Sequence, residues 1–149
     1  GPAAEEDDIV TGTVEKADDN TLTLTTDEGT YTFNTKIAQK VSKDGIKSGV
    51  QADVTYYGDL EDETDKPVAT KIVTEDAMDS EDAKINTLSG KVAEVGADYV
   101  VIDTADPENT LFTFLGKEGM FDKLKVGDTA TVIYEGTLTN KTITATGVK

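Results

Sequence analysis

The sequence predicts a mainly β protein made of two tandem five-stranded small barrels, each with a short helix between strands three and four. Three observations lead there. Threonine and valine are abundant while aromatic residues make up only 6% of the chain, and β-branched side chains favour a pleated surface over a helix. Short stretches alternate apolar with polar residues, the period of a half-buried strand. Finally, the chain resembles itself at an offset of 78 residues, the mark of a repeated structural unit.

The repeat is clearest where Ile46-Lys47-Ser48-Gly49-Val50-Gln51-Ala52-Asp53-Val54-Thr55-Tyr56-Tyr57-Gly58 lies over Leu124-Lys125-Val126-Gly127-Asp128-Thr129-Ala130-Thr131-Val132-Ile133-Tyr134-Glu135-Gly136, with identity at six of thirteen pairs. Leu60 with Leu138, Gly12 with Gly90, Val14 with Val92, Leu22 with Val100 and Leu24 with Ile102 keep the same offset. A short insertion brings Tyr31 and Phe33 opposite Phe112 and Phe114, and a shortened loop brings Ala69 and Ile72 opposite Ala145 and Val148. The matches are apolar residues at strand spacing and glycines at turns, the positions that fix a fold. The expected organisation is a leader over residues 1–8, a first repeat over 9–74, an acidic connector over 75–84 and a second repeat over 85–149.

Each element then has its own justification. Residues 9–14 are rich in β-branched side chains and are followed by the polar cluster Asp18-Asp19-Asn20. Residues 21–25 alternate strictly between threonine and leucine, and Asp27-Glu28-Gly29 turns the chain into a returning arm at 31–33. Ile37 and Val41, four apart, predict one or two helical turns across 36–43. Gly45 and Gly49 punctuate before residues 52–56 alternate again, and residues 68–73 form the last strand. In the second copy the strands fall at 88–92, 99–103, 111–114, 129–134 and 142–148, with Met120, Phe121 and Leu124 marking the helix. Glu75-Asp76-Ala77-Met78-Asp79-Ser80-Glu81-Asp82 is acidic and weakly periodic, and reads as a solvated connector.

Three strands, a short helix and two more strands is an order that resembles the OB-fold, a five-stranded Greek-key barrel. The resemblance covers about 65 residues in each copy and rests on element order; an SH3-like or other small β-barrel is the alternative. More particularly, the chain resembles tandem OB-fold-like domains of secreted or lipid-anchored proteins of Gram-positive bacteria. That resemblance implies an extracellular or cell-surface location, with anchoring through an N-terminal segment since removed. The opening Gly1-Pro2 reads as a protease-cleavage scar of recombinant expression, and Ala3-Ala4-Glu5-Glu6-Asp7-Asp8 as a disordered acidic leader.

Composition excludes several functions. Thirty acidic residues face 14 basic ones, all lysine, for a net charge of −16. Such a field repels phosphate backbones, whose neutralisation supplies most nucleic-acid affinity, and arginine forks for base recognition are absent. Histidine, cysteine and tryptophan are missing, which removes thiolate nucleophiles, disulfides, zinc sites of imidazole or thiolate, and a side chain titrating near neutrality. No stretch approaches the ~20 apolar residues of a membrane span. The expectation is a non-enzymatic binding or spacer module without a cofactor, whose partner is a protein or a component of the cell envelope. The alternative is a carrier of a small molecule, saccharide or divalent cation, bound in a groove between the barrels.

Candidate sites are few. Asp59, Glu61, Asp62, Glu63 and Asp65 form the densest oxygen cluster, and calcium takes six to eight oxygen ligands; the loop lacks EF-hand spacing and reads first as a solvated turn. Tyr57 and Tyr99 are candidate stacking platforms, as is Tyr31, although its match with Phe112 points to core packing. Strand alternation turns Tyr57, Val101 and Ile133 outward, and these three are expected to be buried between the repeats. Gly116-Lys117-Glu118-Gly119 lacks the phosphate-loop pattern and reads as a turn. Asn140-Lys141-Thr142 is a glycosylation sequon that matters only in a eukaryotic secretory setting.

Overall fold

A computed structural model describes residues 7–106, 109–139 and 142–149. Gly1-Pro2, the rest of the segment through Glu6, and the Asn140-Lys141 portion of the sequon lie outside the described residues. The fold is mainly β, and the described residues form eleven strands in two sheets. The chain separates into two compact units, Asp8–Ile85 and Asn86–Lys149, with Asp7 joined to the second. No helix among the described residues is long and apolar enough to cross a membrane.

The second unit is a closed barrel. β7 (Asn86–Val95), β8 (Tyr99–Asp103) and β9 (Leu111–Leu115) follow one another as antiparallel neighbours. β10 (Thr129–Glu135) returns to lie beside β7, and β11 (Ile143–Val148) closes the ring between β10 and β9, meeting β9 in parallel. A fourth strand that returns beside the first is a Greek key. Leu88, Val92, Val100, Ile102, Phe114, Val132 and Ile143 point inward and are almost wholly buried.

The first unit repeats this order with β1 (Asp8–Ala17), β2 (Thr21–Thr26), β3 (Gly29–Asn34), β5 (Gln51–Tyr57) and β6 (Val68–Thr74). β5 lies beside β1 and β6 beside β5, while β3 meets β6 in parallel at the single pair Asn34 and Val68. The core is Val14, Leu22, Leu24, Phe33, Ala52, Val54, Ala69 and Ile72. Register agrees between the units. Gly12 pairs with Ala52 as Gly90 pairs with Ala130, and both first strands bulge just after Val14 or Val92. Tyr56 opposes Ala69 as Tyr134 opposes Ala145, and Val54 opposes Ile72 as Val132 opposes Val148. Phe33 packs against Tyr56 at 5.5 Å between ring centroids, and Phe114 against Tyr134 at 5.8 Å.

The glycines matched by sequence have a physical reason. A Cβ on Gly12 would sit 2.3 Å from the carbonyl oxygen of Thr25, and one on Gly90 would sit 2.4 Å from that of Asp103. Only a residue without Cβ lets the first strand coil this closely over the second. Gly49 and Gly127 have φ of 91° and 94°, and each donates its N–H to the carbonyl of Val14 or Val92.

The expected helix between strands three and four is absent from both units, a correction to the sequence reading. In the first unit, residues 39–41 instead form β4 (Gln39–Val41), paired in parallel with β6. The spacing of Ile37 and Val41 misled because Val41 packs apart from the main core, against Val73 and Ala77. In the second unit the segment is a run of turns, with Met120 donating to Lys117, Asp122 to Gly119 and Leu124 to Phe121. A segment this short repays little of the cost of nucleating a helix, and Gly119 at φ 89° interrupts it.

The acidic segment after β6 is more than a solvated connector. It carries two short 3-10 helices, Glu75–Ala77 and Asp82–Lys84, and belongs to the first unit. Lys71 is only 8% exposed, and its ammonium donates to the carbonyls of Ala83 and Ile85. The Gln39 amide donates to the carbonyls of Asp82 and Ile85 at 3.1 and 2.9 Å. Asp76 accepts from the N–H groups of Lys43 and Asp44, fixing the chain after β4.

Candidate functional site

The sequence-derived candidates are distributed over the surface of both units. In the acidic loop, Asp59 accepts from the N–H of Glu61, and Asp62 accepts from the N–H groups of Thr64 and Asp65, all at 2.9 Å. These are Asx turns, in which the carboxylate serves its own backbone. Glu61 also lies 3.5 Å from the Tyr31 hydroxyl, and Glu63 is exposed. Among the described residues no three acidic side chains gather as a metal-holding group.

Tyr57 and Tyr99 are half-buried. The Tyr99 ring lies over Gly96, whose Cβ would come within 2.2 Å of it, so one face is already covered. Its hydroxyl bonds Glu94, which, with burial and neighbouring carboxylates, raises its pKa. Tyr31 packs on the first core, as its match with Phe112 implied. Val101, opposite Thr113 in register, and Ile133 are also half-buried. The Ile133 side chain lies over Gly147 of the neighbouring strand, 3.6 Å from where a Cβ would stand.

A different site emerges at one end of the first unit, whose six strands form a sheet and not the closed barrel expected of both repeats. A cavity of about 300 Å³ opens between the β1–β2 turn, the residue after β3 and the chain from Lys40 to Ile46. Leu22, Ile46, Ile72 and Ala17 form its apolar walls, Thr21, Thr35 and Ser42 bring hydroxyls, and Asp18, Asp19 and Lys40 bring charge. Thr35 is 1% exposed, and among the described residues its Oγ1 is the buried side-chain polar atom with no hydrogen-bond partner. Such an orphan costs about 1–3 kcal/mol unless an ordered water or a ligand supplies its partner.

The second unit shows what this end looks like when filled. Thr35 donates its N–H to the carbonyl of Asn20, and Gly116 donates to that of Asp98, both at 2.9 Å, so the two residues hold equivalent positions. Over Gly116 the space is occupied: a Cβ there would meet the Met120 sulfur at 2.6 Å and the Phe121 ring at 2.9 Å. Phe121 is fully buried. At the offset of 78, Ser42 and Lys43 align in sequence with Met120 and Phe121, and of the two Ser42 lines the hollow. The first unit therefore lacks the apolar plug and keeps a hollow with a buried hydroxyl.

Charge around the hollow is fixed by local bonds. Asp18 Oδ1 accepts from the N–H groups of Asn20 and Thr21, each at 2.8 Å, and from the Thr21 hydroxyl at 3.1 Å. The bonds from Asn20 and Thr21, aided by Lys40, hold its carboxyl below the ordinary value, so it stays ionised. The Lys40 ammonium donates to the backbone carbonyl of Asp19 at 3.3 Å. Nothing in the sequence alone singled out Thr35; the usable signal was the loss of an aromatic at Lys43 within an otherwise matched repeat. No model of a known protein family matches this chain, and no characterised protein is found as its relative.

Proposed function

We propose that the chain is a non-enzymatic binding protein built from two OB-like barrels, with its binding site in the end cavity of the first. The observation that carries this reading is the unpartnered Thr35 hydroxyl, buried in a hollow that the second unit fills with Phe121. Pockets that bind small molecules combine apolar walls with a few placed polar groups, which is the make-up of this one. The OB-like assignment draws on the Greek-key order and on the parallel closure between the third and last strands.

Absence of histidine and cysteine from the chain, and the use of loop carboxylates in backbone turns, favour binding over catalysis. The acidic, lysine-only, cysteine-free composition favours an extracellular or cell-surface location, which fractionation of the native cell tests directly. The second reading is a spacer or protein-binding module, favoured by Leu111 and Leu115, which stand exposed on the outer face of β9.

Melting temperature across a panel of small metabolites, saccharides and divalent cations tests the proposal. A ligand at a hundredfold excess over Kd stabilises by about 2.7 kcal/mol, several degrees or more for a unit of this size. The shift should vanish in Ser42→Met/Lys43→Phe, which carries the second unit's plug into the first. A shift that survives in this variant places the ligand elsewhere, and a flat panel moves the weight to the spacer reading.

A further inference from the structure

We infer that the end cavity of the first unit is a receptor for a free α-amino acid, held by its ammonium and carboxylate groups together. The inference rests on the binding-site reading above and names its ligand class. Charges of both signs meet at this hollow, Asp18 and Asp19 against Lys40. A ligand with one charge satisfies one partner and is opposed by the other, whereas a zwitterion complements both.

The other linings point the same way. No aromatic ring lines the cavity, so a sugar ring or nucleobase finds no face to stack on. The walls formed by Leu22, Ile46 and Ile72 suit an aliphatic chain. A hollow of about 300 Å³ lies at the small end of the range for ligand pockets and has room for an amino acid.

The placement of donors and acceptors assigns the two ends. Asp18 Oδ1 is saturated by three donors, which orients the carboxylate and leaves Oδ2 to accept from an ammonium group. The Thr35 hydroxyl, buried and unpartnered, donates to the ligand carboxylate together with Ser42 and Lys40. An oxygen that accepts from Thr35 removes the one orphan described in this unit. Acidic amino acids should bind worst, because Asp18, Asp19 and the net charge of −16 oppose them.

The experiment uses the whole chain, titrated with free L-amino acids, their methyl esters, their N-acetyl derivatives, simple alkylamines and neutral polyols. Amide chemical shifts and melting temperature are both read. The expected result is that neutral aliphatic or hydroxylated amino acids shift the amides of residues 18–22, 35 and 40–46 and raise the melting point. Esters and N-acetyl derivatives should each bind at least tenfold more weakly, and Thr35→Val should lose about tenfold. If amines or polyols shift the same amides and amino acids do not, the ligand class is wrong while the cavity reading stands. If no compound moves these amides, or the Ser42→Met/Lys43→Phe variant binds equally well, both are overturned.

Discussion

Phe121 fills the end of the second unit, and the first, without that ring, keeps a hollow beside the buried Thr35. Phe121→Ala is expected to cost about 3–5 kcal/mol, read as a lower denaturant midpoint with amide-exchange losses concentrated in the second unit. Gly12→Ala and Gly90→Ala should each cost about 2–3 kcal/mol, since each methyl meets a carbonyl oxygen that the sheet holds in place; a change below 0.5 kcal/mol, about the scatter of a neutral surface substitution, would show that the first strand can shift. Asp18 is a pH probe of the cavity mouth. Its folded pKa lies below the ordinary 3.8 because of the bonds it accepts from Asn20 and Thr21. Its contribution to stability is therefore complete above the unfolded value and is lost as the pH falls through the lower folded one. Carboxyl-carbon NMR should place its midpoint below 3.8, and Thr21→Val should move that midpoint back up.

At the scale of elements, the informative difference is the chain after the third strand. Periodicity predicts a helix there, yet β4 and a run of turns stand in its place. β4 gives β6 a parallel neighbour, and every residue of β6 is buried. Its outward side, with Lys71 and Val73, is roofed by the 3-10 segment through Ala77 and Ala83. Lys71 and Gln39 hold the carbonyls of that roof, so Lys71→Met and Gln39→Ala should each speed amide exchange over residues 77–86 by tenfold or more; unchanged exchange would show that the apolar contacts suffice. Burial lowers the Lys71 pKa. Between that lowered value and 10.5 the unfolded chain binds more protons, so the lysine contributes stability that increases as pH rises through this window. The strands themselves were legible: all ten predicted from sequence are present, because alternation reports directly which side faces a core. The connector was not, because its burial depends on partners 12 to 46 residues away that composition does not reveal.

For the whole molecule, charge is the dominant quantity. With a net −16, self-repulsion disfavours compact states and is screened within about 10 Å at 0.1 M salt. Melting temperature should therefore rise steadily between 10 mM and 0.5 M sodium chloride, as differential scanning calorimetry will read. Calcium and magnesium at equal ionic strength should act alike; a calcium-specific gain would identify the loop of Asp59, Glu61, Asp62, Glu63 and Asp65 as a metal site after all. The agreement in register between the units, down to the bulge after Val14 and Val92, shows that the 78-residue offset is a relation of structure as well as of letters.

By itself, the sequence determined the strands, the repeat and the glycines that both sheets require. Each follows from a local period or from a steric demand that recurs at a fixed offset. Only the tertiary structure decided what lies at the ends of the two units and on the outer face of β6. A hollow, an unpaired hydroxyl or a roofed lysine depends on side chains distant in the chain that either fill a space or leave it open, and neither period nor composition records that outcome.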